Sequence, residues 1–429
     1  MMRKFLKNKE IKNAGWLIGG RIVQMILSFF VGILSARYLG PGNYGLINYA
    51  TAYITFFSSL SNLGLNSVII KEFSDNPNQQ GIAIGTTIIF RGVASFLSAI
   101  MIVGIVSIID KGETITIIVV ALCSISLFFH VFDTINYWFQ SKYLSKVTSL
   151  VTLLAYVIVS VYKIVLLINN KSVYWFAFAS SVDYIAVGIL LLLAYRKYEG
   201  PKLGFSLAKG RDLISRSYHY ILSGMMVAIY GQTDKLMLKQ MLDETTVGYY
   251  STAVTLCSVW TFVLTAIIDS VYPTIIHLSE IDEEGFNRKN RQLYAIVFYC
   301  SMFVSLLYVI FGGFAIRILY GDAYSGAIEP LRVVTWYTAF TYLGVARNAW
   351  IVCKNRQKYL KFMYLGAAIL NVILNFIFIP IMGATGAAFA SLLTQISTSI
   401  VLPLFWKDMR PNSILMLEAI LLRKIKKSN

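Results

Sequence analysis

Charge is scarce in this chain. Only 14% of its 429 residues are Asp, Glu, Lys or Arg, against about 25% in an ordinary soluble chain. With 57% of residues hydrophobic, that deficit excludes a string of soluble domains and calls for lipid as the solvent. Cysteine is nearly absent. The four present (Cys123, Cys257, Cys300, Cys353) fall in or at the ends of apolar stretches with no short-spaced pair. This excludes a disulfide framework or a thiolate metal site, and predicts buried inert thiols. His130, His219 and His277 are far apart, with no His-Glu-x-x-His among them. A Gly-x-x-x-x-Gly-Lys-Ser/Thr loop is also missing, which excludes ATP hydrolysis by this chain. No cofactor is expected; active transport would draw on a proton or sodium gradient, or be pulled by the trapped product.

What the chain has is long apolar runs. Runs of about 18 or more residues with few charges read as membrane helices. They fall near 13–36, 45–70, 82–109, 114–138, 147–168, 173–195, 217–240, 247–277, 292–318, 329–352, 360–380 and 384–406. The expected fold class is all-α integral membrane, with about twelve transmembrane helices and short connections. The first run follows Arg3, Lys4, Lys7, Lys9 and Lys12 but is too long for a signal peptide and carries Arg21; an uncleaved helix is expected.

The net charge of +17 would suit a nucleic-acid partner, but its distribution does not. With the N-terminus inside, the inside loops hold Lys142 and Lys146, Arg196 to Arg216, Arg288 to Arg291 and Lys354 to Lys361. The tail adds Lys407, Arg410, Arg423, Lys424, Lys426 and Lys427, while outside loops hold scattered cations such as Arg37, Lys111, Lys171 and Lys239. That asymmetry predicts both termini in the cytoplasm and no nucleic acid as partner. The final basic cluster is expected on anionic headgroups.

The chain also repeats itself. Leu39-Gly-Pro-Gly-Asn-Tyr-Gly45 with Ala50 matches Leu242-Asp-Glu-Thr-Thr-Val-Gly248 with Ala253, at an offset of about 203. Asn136-Tyr-Trp138 matches Asn348-Ala-Trp350, and Phe178-Ala-Ser180 matches Phe389-Ala-Ser391. Two parallel, pseudo-symmetric six-helix bundles follow, with substrate handled between the repeats. The expected boundaries are an N-terminal bundle over 1–200, a cytoplasmic linker over 201–216, a C-terminal bundle over 217–406 and a basic tail over 407–429. Gly200-Pro201 opens the linker.

Ionisable groups inside apolar spans cost about 2.5–3.5 kcal/mol each, so they usually face a cavity or a partner. Arg21 shares a helical face with Gln24 and Ser28, and Arg91 with Ser95 and Ser98. Each arginine reads as cavity-facing, or else as half of a buried ion pair with Asp133 or Asp183. His219, Ser223, Tyr230 and Asp234 align on the seventh span, with Lys235 beside them. Ser251, Thr255, Ser258, Thr265 and Asp269 align on the eighth. Both sets line a cavity or serve as interhelical glue. Lys163, Arg332 and Arg347 lie nearer span ends, where snorkelling is expected. Asp133, Asp183, Asp234 and Asp269 are the carboxylates that can carry a coupling proton. A cavity with arginines and few acids suits phosphate, so the expected substrate is anionic and lipid-linked.

The chain resembles the Wzx-type polysaccharide flippases, in the superfamily with multidrug and toxin extrusion transporters and the lipid II flippase. The resemblance rests on Ala36-Arg-Tyr-Leu-Gly-Pro-Gly-Asn-Tyr-Gly-Leu-Ile-Asn-Tyr-Ala50, on Gln232-Thr-Asp-Lys-Leu-Met-Leu238 and on Val247-Gly-Tyr-Tyr250. It implies a V-shaped, alternating-access transporter of a bacterial inner membrane, carrying undecaprenyl-pyrophosphate-linked oligosaccharide to the periplasmic leaflet for O-antigen or capsule synthesis. It also implies a repeat-unit polymerase and a chain-length regulator as partners, beside bilayer lipid. Arg21 best fits the basic cavity of similar proteins; Arg91 fits less closely, and Asp234-Lys235 falls in the motif of the seventh helix. Two competing classes are a cation-coupled drug antiporter on the same fold, whose cavity should be acidic, and a membrane glycosyltransferase or polymerase, for which the outside loops are too short.

Overall fold

The computed structural model describes the backbone of residues 9–423, and the side chains in that range except at 9–15, 17, 18, 21, 67 and 223. Described residues form helices and turns without a strand. Hydrocarbon allows little else, since every backbone N–H and C=O must be paired within its own segment. In chain order the principal helices are α1 (Lys9–Ser61), α2 (Leu65–Asp75), α3 (Gln80–Ile109), α4 (Thr114–Ser124), α5 (Asp133–Ser141), α6 (Ser145–Ile168) and α7 (Val173–Lys197). They continue as α8 (Leu207–Met241), α9 (Glu244–Ser258), α10 (Thr261–Ile281), α11 (Glu283–Leu319), α12 (Ile328–Cys353), α13 (Leu360–Ile396) and α14 (Arg410–Ile420).

Among these residues, 8 helical stretches are long and apolar enough to cross a membrane. Two of them break in the middle at a glycine and so cross twice. Ile22–Ser61 has 40 residues, about 60 Å if straight, or twice the hydrocarbon thickness. It breaks at Gly40, where φ is 72°, a conformation that favours glycine. Gln357–Leu404 breaks in the same way at Gly383, with φ 57°. Counting both halves of each, and adding the more polar α8 and α12, gives twelve crossings, as expected.

The chain divides into two compact units, Met1–Leu39 with Leu46–Ala228, and Gly40–Gly45 with Ile229–Asn429. The core of the first gathers Ile69, Phe73, Ile135, Phe139 and Leu191. That of the second gathers Phe286, Leu293, Tyr294, Leu343 and Met416. Other large apolar side chains, such as Ile381 (74% exposed) and Phe376 (69%), face outward, as lipid-facing positions do.

The division corrects the expected linker at 201–216, which is part of the first unit. Gly204 N–H donates to Gly81 O (3.1 Å), and Ser206 N–H to Thr86 Oγ1 (3.0 Å). Lys209 and Arg216, on the first turns of α8, both bind Glu72, Arg216 at 2.6 Å. Glu72 is only 1% exposed. Burial alone would raise its pKa, but hydrogen bonds from Lys209 and Arg216 outweigh burial and hold it below the usual carboxylate range. The basic segment is therefore clamped to one end of its unit.

The second unit gathers its basic segments in the same way, through Lys354–Glu283 (2.6 Å), Arg356–Asp408 (3.2 Å) and Arg291–Glu418 (2.8 Å). Here too lies the reason for the repeated glycines. A Cβ on Gly45 would fall 1.7 Å from the Glu244 carbonyl oxygen, and one on Gly248 would fall 2.0 Å from that of Pro41. The two copies of the repeated turn pack backbone to backbone, which only glycine allows. No disulfide forms among the described residues; Cys123 and Cys257 are buried as expected, whereas Cys300 is exposed and Cys353 half-buried.

Two outcomes are expected. Gly248→Val should lower the unfolding midpoint in detergent by several degrees, in line with overpacking costs of about 1–3 kcal/mol; an unchanged melt would contradict the close approach. Glu72→Gln should destabilise at neutral pH. Because the folded pKa of Glu72 is depressed, its contribution is present above the unfolded value of 4.5 and is lost as pH falls below it. The gap between wild type and variant in pH-dependent melts should therefore close on the acid side.

Candidate functional site

A polar cavity of about 420 Å³ opens inside the first unit, lined by Gln24, Asp133, Asn136, Gln140, Asp183 and Thr152 among others. Its walls come from four helices. Gly20 and Gln24 lie on α1, Asp133 opens α5, Thr148 and Thr152 lie one turn apart on α6, and Asp183 lies on α7. Pairs spaced four apart recur (Asn136 with Gln140, Thr148 with Thr152), which gives each helix one polar stripe within an apolar span. Asn136 and Gln140 are also joined at 3.2 Å. The volume is in the range of small-ligand sites. Two carboxylates, three amides and four hydroxyls (Thr148, Ser149, Thr152 and Tyr184) offer both donors and acceptors, a set suited to polyols or to a cation.

Gln24, Asp133 and Asp183 are thus brought together, as separate sequence signals did not require. Ser28 accepts a hydrogen bond from the Tyr156 hydroxyl at 2.6 Å. Arg21 sits on α1 between the cavity-lining Gly20 and Gln24, but its side chain lies outside the described residues. Lys163, for which snorkelling is expected, is half-buried on α6, where its charge acts on Asp183.

Arg91 is a correction. Its guanidinium does not line the cavity and is 1% exposed. It donates to the Asn62 carbonyl (3.3 Å), to Thr134 Oγ1 (3.1 Å) and to Asn66 Oδ1, and stands 5.9 Å from the centre of the Tyr137 ring. A buried guanidinium that finds neutral acceptors is a structural crosslink between helices. The basic cavity expected from the sequence is, in the first unit, one faced by two carboxylates.

Asp234 in the second unit is 5% exposed. One carboxylate oxygen accepts from Asn371 Nδ2 (3.0 Å) and Asn375 Nδ2 (2.6 Å). The other accepts from the hydroxyls of Tyr250 and Ser391. Four donors match the lone-pair capacity of an ionised carboxylate, and Lys235 adds its charge nearby. Asp234 is therefore enclosed by side chains of its own unit. Sequence reasoning missed Asn371 and Asn375, whose signal was present: two amides four apart in an otherwise apolar span.

The expected stripe on the eighth span is not continuous. The helix is interrupted at Val259–Trp260, leaving Ser251 buried on α9 and Asp269 exposed on α10. Arg347 does not snorkel either. It is 2% exposed and donates to the carbonyls of Thr398 (3.0 Å) and Ser399 (3.3 Å), in a π-helical stretch at Ser397–Val401. A π-helix shifts its carbonyls out of α-helical register, and the guanidinium takes up two of them. Arg332, by contrast, is exposed and pairs with Glu329 at 2.6 Å.

The family model described as "Polysaccharide biosynthesis protein" matches residues 11–279, more than half of the chain. No curated protein matches. Among solved structures, the lipid II flippase MurJ in its inward closed conformation is similar, with a TM-score of 0.75 at 14% identity over 96% of this chain and 93% of that one. An inward-facing multidrug resistance MATE family transporter of the MOP superfamily matches at a TM-score of 0.67 and 13% identity, over 90% of this chain and 95% of that one. A MOP superfamily transporter from Pyrococcus furiosus, described as having a binding pocket of reverse polarity, matches at 0.63 and 11%, over 95% and 96%. At such identities the likeness establishes a shared fold.

If Arg91 is a crosslink, Arg91→Leu leaves Asn66, Thr134 and a backbone carbonyl unpaired. It should cost about 2–4 kcal/mol and several degrees of melting temperature in detergent. A variant that melts like wild type but no longer transports would return Arg91 to the binding machinery.

Proposed function

Since the chain belongs to the polysaccharide biosynthesis protein family, we propose that it is a flippase that moves undecaprenyl-pyrophosphate-linked oligosaccharide from the cytoplasmic to the periplasmic leaflet by alternating access. The product would feed O-antigen or capsule assembly at a bacterial inner membrane, with both termini in the cytoplasm. The observation that carries the reading, beside the family, is the composition of the first-unit cavity. Carboxylates, amides and hydroxyls are the groups that hydrogen-bond sugar hydroxyls, and about 420 Å³ accommodates one or two residues of a glycan. Arg21, which lies between Gly20 and Gln24 in the chain, is the cation we assign to the pyrophosphate. Asp133 and Asp183, which face the cavity directly, are the carboxylates assigned to a coupling proton or sodium ion; Asp234 is enclosed by four donors of its own unit, and Asp269 is exposed. A polymerase and a chain-length regulator would receive the product.

The second reading is a cation-coupled drug antiporter. The pair Asp133 and Asp183 in one cavity favours it, since an acidic cavity attracts cations.

Deletion of the gene separates the two. The flippase reading expects lipid-linked repeat units to accumulate on the cytoplasmic leaflet and surface polysaccharide to disappear, with cationic dye efflux unchanged. Normal polysaccharide with impaired dye efflux would establish the antiporter instead. Complementation with Asp133→Asn or Asp183→Asn should lower repeat-unit export by about tenfold each, the loss of one or two charge-assisted hydrogen bonds, at an unchanged amount of protein in the membrane.

A further inference from the structure

A second concavity lies in the second unit and shares no residue with the polar cavity. It is a groove of about 360 Å³ between α10, α11 and the end of α14, lined by Val271, Lys289, Ala295, Ile296, Tyr299 and Leu422, with others. Its walls are almost wholly apolar along α11, where Ile296 and Tyr299 are 45% and 42% exposed. Polarity is confined to one end, where Lys289 stands one turn before Gln292.

The third wall is held in place. Tyr299 donates its hydroxyl to the Ile420 carbonyl (2.7 Å), Arg291 pairs with Glu418 (2.8 Å), and Asn412 Nδ2 donates to the Tyr294 hydroxyl (2.7 Å). Helix α14 is thus fixed to α11, and Leu422 closes the groove just beyond it. Charge at this end is unbalanced. Arg288 and Lys289 are half-buried and make no ion pair among the described residues, and Arg423 follows Leu422 at the surface. The sequence then continues with Lys424, Lys426 and Lys427. Of the acids around the start of α11, Glu283 binds Lys354 and Asp282 caps the helix through Gly285 N–H, while Glu280 and Glu284 remain exposed.

We infer that this groove seats one anionic phospholipid, its phosphate beside Arg288, Lys289 and Arg423 and an acyl chain along Val271, Ile296 and Tyr299. The occupant follows from the two ends of the groove. A cation left unpaired at the basic rim of a membrane protein is satisfied by a phosphate, and an apolar trough that continues from it along a spanning helix is filled by the tail of the same molecule. A zwitterionic lipid satisfies only the trough, and a free phosphate only the rim. The seat would brace α14 against α11 whatever substrate the protein carries.

Native mass spectrometry of the purified full-length protein, titrated with phosphatidylglycerol or phosphatidylcholine, tests this. One phosphatidylglycerol should be retained preferentially. Arg288→Gln and Lys289→Gln should each weaken its retention by about fivefold, the effect of one Lys or Arg beside an anionic surface. Ile296→Trp, which fills the trough from an exposed position and leaves the rim intact, should also displace it. Equal retention of the two lipids overturns the proposal. So does full retention of phosphatidylglycerol in Ile296→Trp, which would show a surface attraction without a seat. Should a glutamine variant fail to fold, the comparison of the two lipids on the wild type and the Ile296→Trp result still decide.

Discussion

A polar group left unpaired in hydrocarbon costs several kcal/mol, and the placement of nearly every informative residue in this chain answers to that cost. Arg91, Asp234 and Arg347 are buried, and each is met by several neutral partners on neighbouring helices. Arg91 joins α3 to the turn between α1 and α2 and to α5. Asp234 joins α8 to α9 and, at three points, to α13. Arg347 joins α12 to the π-helical stretch after α13. A charge with so many acceptors or donors fixes the helices it touches in register, because a sliding helix would strip it of partners faster than lipid could replace them.

The same cost explains where irregular backbone is tolerated. The breaks at Gly40 and Gly383 have positive φ, and the π-helical stretch is taken up by a guanidinium. The repeated turns at Gly45 and Gly248 lie backbone against backbone within the second unit. Two copies of one motif, separated by half the chain, are thereby constrained together, which accounts for glycine in both.

Against this background the open polar groups stand out. Asp133 and Asp183 face a cavity rather than a closed ring of partners, together with amides and hydroxyls from four helices. This contrast separates Arg91 and Asp234, which hold helices together, from Asp133 and Asp183, which stand open to the cavity.

Composition and hydropathy alone determined the membrane environment, the all-α class and the twelve crossings, because solvent imposes these on each segment independently. The repeat and the basic segments were legible for the same reason, as properties of local sequence. Sequence periodicity also placed Gln24 on a polar face of α1, and it marked Asp133 and Asp183 as costly. It did not show that these three share one cavity, nor that Arg91 turns away from it, since a helical face becomes a cavity wall or a buried contact only when its neighbours are in place. Asn371 and Asn375 acquired meaning only beside Asp234, more than a hundred residues away in sequence. The interruption at Val259–Trp260 and the pinning of 201–216 to the first unit were likewise decided in three dimensions. The cost of burying a charge is set residue by residue, but which partners meet it is set by packing.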